Sequence, residues 1–116
     1  MGLGGALGAV FRYLMCLVPN KGDFPFMTLA VNITGAFLIG VIAGTAGAKN
    51  ISPNLVLFLK TGVCGGFTTF STFSLETLTL IQKGRTPLAV LYAAASLFGC
   101  LLGVKLGELA AAAFNK

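Results

Sequence analysis

Ionisable and amide side chains are scarce in this chain, and the few that interrupt its apolar runs carry the chemical information. Arg12 lies well inside the first run. It either snorkels to a nearby headgroup or faces a water-filled vestibule and attracts anions. Asn32 sits in Val31-Asn32-Ile33-Thr34-Gly35. Its uncharged amide can replace part of an anion's hydration or hydrogen-bond two helices together. Asn32-Ile33-Thr34 also matches a glycosylation acceptor, but it stands mid-run rather than in a surface loop.

The third run is the most informative. It reads Gly62-Val63-Cys64-Gly65-Gly66-Phe67-Thr68-Thr69-Phe70-Ser71-Thr72-Phe73-Ser74. Its hydroxyls can donate, accept, or satisfy freed backbone carbonyls. Phe70 and Phe73 are three apart and share a helical face. Isolated Phe pairs usually only pack. Beside hydroxyls in a narrow conduit, their electropositive ring edges can also stabilise a small anion. Freed carbonyl oxygens suit a hard cation. Glu76 follows one turn beyond Phe73 on the same face. In the fourth run, Tyr92 and Ser96 are four apart, share a face with Cys100, and could line a polar track.

Enzyme chemistry finds no support. The chain has no histidine, the commonest general base and proton carrier. It has no Ser/His/Asp set, no paired carboxylates and no metal-ligand cluster. The Gly-rich segment lacks the Lys of a phosphate-binding loop. Gly2 and Gly4 begin a dinucleotide pattern, but Leu7 occupies the third glycine position. Cys16, Cys64 and Cys100 are odd in number and lie within apolar runs, as small buried hydrophobes do.

The elements that must position these residues are membrane helices. Of the 116 residues, 56% are hydrophobic and only 9% charged. A soluble domain carries about 25% charged residues. The fold class expected is an all-α membrane protein with four transmembrane helices per subunit, forming one domain over residues 1–116. The spans are read at about 2–18, 25–48, 54–82 and 88–114. Breakers separate them: Pro19-Asn20-Lys21-Gly22-Asp23, Lys49-Asn50-Ile51-Ser52-Pro53 and Lys83-Gly84-Arg85-Thr86-Pro87. The third is too long for one straight crossing of a roughly 30 Å hydrocarbon core. It reads as two half-helices with a break near 65–69, tolerable only where buried in protein or lining a cavity. Gly4 and Gly8, Gly40 and Gly44, and Gly99, Gly103 and Gly107 recur at four-residue spacing, which lets helix backbones approach closely. No basic segment precedes the first run, so it does not read as a cleaved signal peptide.

The net charge is +5, yet the basic residues are scattered at run ends. Nucleic-acid binders cluster them on one face, so no nucleic-acid partner is expected. Lys21, Lys83 and Arg85 fall on one side of the membrane; Lys49, Lys116 and, by its place, Lys60 fall on the other. This near-even split removes the bias that normally sets orientation. A subunit without preferred orientation can insert both ways and pair antiparallel. Four short spans also make a thin bundle, which a second copy would complete.

With these motifs in hand, the chain resembles the Fluc (CrcB) family of fluoride channels. The resemblance covers nearly the whole chain. It rests on Gly4-Gly5-Ala6-Leu7-Gly8-Ala9-Val10-Phe11-Arg12-Tyr13, on Thr28-Leu29-Ala30-Val31-Asn32-Ile33-Thr34-Gly35, and most specifically on the Gly62–Ser74 segment. It implies a passive fluoride-selective channel, built as an antiparallel dual-topology homodimer with two pores and a central structural sodium ion. By motif, it implies that Asn32, Phe70 and Phe73 line the pores, with Thr28 and Glu76 along the pathway and Arg12 marking the vestibule. Tyr92 and Ser96 would match a fourth-span hydroxyl track, with Cys100 where a further Ser is expected. Backbone carbonyls of Gly65 and Thr68 from both subunits would hold the sodium. The chain begins almost directly in its first motif, so the first span is expected to be a few residues short.

Two rival classes fit less well. A small dual-topology multidrug transporter would need a carboxylate deep in the first span, where Arg12 is the only charge. A non-transporting accessory subunit would be expected to carry a soluble interaction segment, and none is long enough. The expected location is the cell membrane of a prokaryote, with lipid, fluoride and a second copy of the chain as partners.

Overall fold

The computed structural model describes residues 1–19, 22 and 24–115. Asn20, Lys21 and Asp23 of the first loop, and the terminal Lys116 of the charge count, lie outside the described residues. Among the described residues there is no strand. Helix α1 is Gly2–Cys16, and α2 is Phe26–Ala48. The third span divides into α3, residues 53–67, and α4, Phe70–Gln82. Helix α5 is Thr86–Phe114.

The apolar runs form helices because, in lipid, a helix satisfies its own backbone hydrogen bonds. The stop signals act where they stand. Lys49 is extended after α2, and Pro53 takes the first turn of α3, where its missing N–H costs nothing. Gly84 closes α4 with φ of 75°. Its N–H donates to the Ile81 carbonyl at 3.0 Å, and the Arg85 N–H donates to Leu80 at 2.8 Å. This paired C-cap needs a left-handed residue, which glycine adopts without strain. The chain then reverses into α5, with Pro87 in its first turn.

Helix α3 is irregular. Pro53–Val56 is α-helical, Leu57–Cys64 follows in wider π-helical turns, and Gly65–Phe67 returns to α geometry. Only Thr68 and Thr69 then leave the helix, at φ/ψ of −82/158° and −149/119°. The break expected near 65–69 is therefore narrower at its start. Gly65 and Gly66 stay helical despite poor intrinsic propensity; α1 packs directly on Gly66, whereas Gly65 is exposed. A Cβ at Gly66 would collide with the Gly5 backbone.

Bare backbone surfaces hold the helices together. A Cβ at Gly4 would meet the Phe58 carbonyl, and one at Gly8 would meet the Val63 carbonyl, so α1 lies directly on α3. Gly40 faces the Val104 carbonyl, and Gly107 faces the Phe37 carbonyl, joining α2 to α5 along their length. Helix α4 packs on α5 around Leu80, Ala89 and Tyr92, with Phe24, Leu29, Phe73 and Leu88 around them. With few large side chains between the helices, the large apolar residues point outward. Leu3, Phe98 and Phe114 are 80%, 67% and 86% exposed. Helix α2, the third span and α5 are long and apolar enough to cross a bilayer; α1 is apolar but shorter. The long axis of 50 Å exceeds the roughly 30 Å hydrocarbon core. The chain is a membrane protein, with three apolar segments long enough to cross a bilayer and a fourth, shorter apolar helix.

Candidate functional site

The two-residue break exposes backbone polar groups in the middle of an apolar bundle. Unpaired there, each would cost several kcal/mol, of the order of about 4–8 in hydrocarbon. Asn32 removes most of that cost. Its Oδ1 accepts from the Thr69 N–H at 2.9 Å, and its Nδ2 donates to the Thr69 carbonyl at 3.1 Å. The side-chain amide thus acts as a one-residue strand partner, and the pairing sets which way the amide faces. Its second Nδ2 hydrogen has no partner among the described residues.

Thr69 also starts the next helix. Its Oγ1 accepts from the Thr72 N–H at 3.2 Å and donates to Thr72 Oγ1 at 3.0 Å. Thr is a favoured N-cap for this reason. On the other side of the break, the Thr68 hydroxyl and N–H both donate to the Cys64 carbonyl, at 2.9 and 3.0 Å. Arg12 reaches the same region from α1, where its Nε donates to the Gly66 carbonyl at 3.3 Å. The guanidinium caps the C-terminal end of α3, where the helix dipole favours positive charge.

A groove of about 590 Å³ opens beside the break. Asn32, Thr68, Thr69, Phe70, Phe73, Ser96 and Cys100 line it, with Ala93, Leu97, Leu101 and Val104 as apolar wall. The Phe70 and Phe73 ring centroids are 5.6 Å apart at an interplanar angle of 45°. Phe73 is half-buried, whereas Phe70 is 79% exposed at the open side. Ser96 is 8% exposed, and its Oγ is buried with no hydrogen-bond partner. The contrast with α4 is informative. There Ser74, Thr77 and Thr79 each return their hydroxyl to the carbonyl four residues back, at 2.8–2.9 Å. The groove therefore holds a hydroxyl and an amide hydrogen available to a ligand.

Thr28, Glu76 and Tyr92 do not line this groove. They form a neighbouring cluster, in which the Tyr92 hydroxyl donates to Glu76 Oε1 at 3.2 Å and Thr28 is buried. Tyr92 is fully buried. Its ring lies 5.1 Å from that of Phe73 and 5.5 Å, edge-on, from that of Phe24. Phe73 thus joins the cluster to the groove. Shared helical face placed Tyr92 with Ser96 and Cys100, but α4 covers Tyr92 and only the other two line the groove.

Among the described residues, no group of three His, Cys, Asp or Glu side chains could hold a metal. A cation here would need carbonyl oxygens, the ligands hard cations prefer. In a continuing helix, the Gly65 carbonyl would accept from the Thr69 N–H, which Asn32 has taken. The Thr68 carbonyl sits on extended backbone. The Gly66 carbonyl is occupied by Arg12. Gly65 and Thr68 thus fit a carbonyl-held cation, although one chain supplies too few oxygens to enclose it.

Residues 1–108 match the family model described as CrcB-like protein, Camphor Resistance (CrcB). Bacterial relatives align over most of their length. A protein of Methylobacterium radiotolerans is 41% identical over 97% of this chain and 82% of its own. One of Chlorobium chlorochromatii is 46% identical over 96% and 88%. One of Flavobacterium psychrophilum is 48% identical over 83% and 81%. Each is named fluoride-specific ion channel FluC.

The Asn32–Thr69 pairing makes a stability prediction. Asn32→Asp keeps an acceptor for the Thr69 N–H but sets an oxygen against the Thr69 carbonyl. The loss expected is about 1–3 kcal/mol, or more if the carboxylate ionises. Thermal unfolding in detergent reads it, and an unchanged midpoint would show that the amide does not hold the break.

Proposed function

The chain belongs to the CrcB-like family, and on that footing we propose that it is a subunit of a passive fluoride-selective ion channel, a conduit and not an enzyme. The observation that carries this reading is the groove, which gathers the free hydrogen of Asn32, the unpartnered Ser96 hydroxyl and the Phe70–Phe73 rings beside one helix break. Fluoride is small and tightly hydrated. A dry path must replace its water with close contacts at each step. The amide and the hydroxyl supply donors but stand apart, and the electropositive ring edges bridge between them. Tyr92, Thr28 and Glu76 would continue the path beyond Phe73. With no histidine and no paired carboxylate, the chain lacks the usual means of coupling an ion to protons.

The break also sorts charge. The carbonyl end of α3 favours a cation, and the N–H end of α4 favours an anion. We propose that Gly65 and Thr68 carbonyls from two subunits hold a structural sodium ion, whose chemistry is to neutralise converging carbonyl dipoles. Arg12 does the same for Gly66 and would attract anions toward the break.

The assembly proposed is an antiparallel, dual-topology homodimer with two pores, in the bacterial cell membrane. The even Lys/Arg split supports free orientation. The groove supports a second copy, because its open side bears an exposed Phe70 and its carbonyl set is incomplete in one chain.

Efflux from fluoride-loaded liposomes tests the function. Wild type should pass fluoride without an imposed proton gradient. Phe70→Ile and Phe73→Ile should slow it while the protein still elutes as a dimer, since packing losses stay within about 1–3 kcal/mol. Wild-type rates in both variants would reduce the rings to packing residues. Replacing sodium with a large organic cation throughout preparation should lower the flux and the dimer's melting temperature; indifference of both would remove the cation from the account. Terminal tags on intact cells should be reachable from both faces of the membrane, and a uniform orientation would eliminate the antiparallel arrangement.

A further inference from the structure

The three thiols occupy different surroundings. Cys16 is exposed at the end of α1, Cys64 is buried, and Cys100 is half-buried on α5. Cys100 lines the groove beside the helix break. One turn earlier on the same face, Ser96 lines it too, with its hydroxyl buried and unpartnered. Side chains four apart on a helix have Cβ atoms about 5–6 Å apart. One metal centre can therefore sit between the sulfur and the oxygen. The apolar wall of Ala93, Leu97 and Leu101 gives a hard, strongly hydrated cation little to bind. It does not hinder a thiophilic metal, whose preferred ligand is a soft thiolate.

We propose that Cys100, assisted by Ser96, is a binding site for thiophilic metal ions such as mercury(II), and that occupancy closes the groove to ions. The closure rests on reading the groove as the ion path; the metal site does not. Mercuric chloride is neutral and reaches the site through lipid. The Cys100 S–H bond and one Hg–Cl bond break, and an S–Hg bond forms. The proton passes to water, chloride leaves, and no oxidation state changes. The remaining chloromercury group stands in the groove beside Ser96, whose oxygen can donate a lone pair to the metal.

The test uses full-length protein in fluoride-loaded vesicles, before and after mercuric chloride. Wild type and Cys16→Ser should conduct, lose most of their flux on treatment, and recover it with excess dithiothreitol. Peptide mass mapping should find a mercury adduct on Cys100 that forms more slowly when fluoride is present. Cys100→Ser should resist block. Block that persists in Cys100→Ser, or wild-type protein without mercury on Cys100, would overturn the site. An adduct on Cys100 with undiminished flux would overturn closure of the path. If Cys100→Ser does not conduct, adduct mapping and fluoride protection in wild type decide the matter. A wild type that never conducts would defeat the channel reading instead, and mapping would still test the metal site.

Discussion

The pairing of Asn32 with the Thr69 backbone is the interaction on which the rest of the molecule depends. A membrane span cannot abandon helical geometry unless its freed N–H and C=O groups find partners within the protein. Here one amide answers both groups of one residue, at 2.9 and 3.1 Å. Thr69 could not face Asn32 and remain helical. Its N–H, taken from the Gly65 carbonyl, leaves an oxygen acceptor on one side of the break. Its hydroxyl opens α4 on the other. One side-chain amide thereby creates an oxygen-rich helix end and an N–H-rich helix start within two residues.

Close helix approach makes that arrangement possible. Asn32 is short and must reach Thr69 from α2. Gly35, one turn along, lies so close to the third span that a Cβ there would strike the Thr68 methyl. On the opposite side, Gly4, Gly8 and Gly66 let α1 lie on α3 and carry the Arg12 guanidinium to the Gly66 carbonyl. In lipid, association of helices gains little from burying apolar surface, so backbone-to-backbone packing supplies the contact. The large side chains displaced from these seams coat the exterior, where lipid or a second copy meets them.

Hydroxyls divide by what they already hold. Those of α4 and of the break are committed to carbonyls, to N–H groups or to each other. They repair the backbone. Ser96 is uncommitted and faces the groove, and the hydroxyl of Tyr92 is spent on Glu76. A list of polar residues does not separate these classes.

The sequence by itself determined the membrane setting, the apolar helices, the divided third helix and most residues that meet at its break. Each follows from local chemistry: a shortage of charge, the length of apolar runs, breakers between them, and polar residues too costly to be idle in lipid. Boundaries such as the Schellman-type cap at Gly84 follow from the same local preferences. Only the tertiary structure decided the rest. It kept Gly66 helical, because α1 packs on it and outweighs its propensity. It wound Leu57–Cys64 into π turns that no periodicity announces. It turned Arg12 onto a carbonyl, and it parted Tyr92 from Ser96 although both lie on one face of α5. In each case the deciding contact comes from residues far away in the chain, so helical spacing could bring the right side chains to one face but could not say which neighbour would cover them.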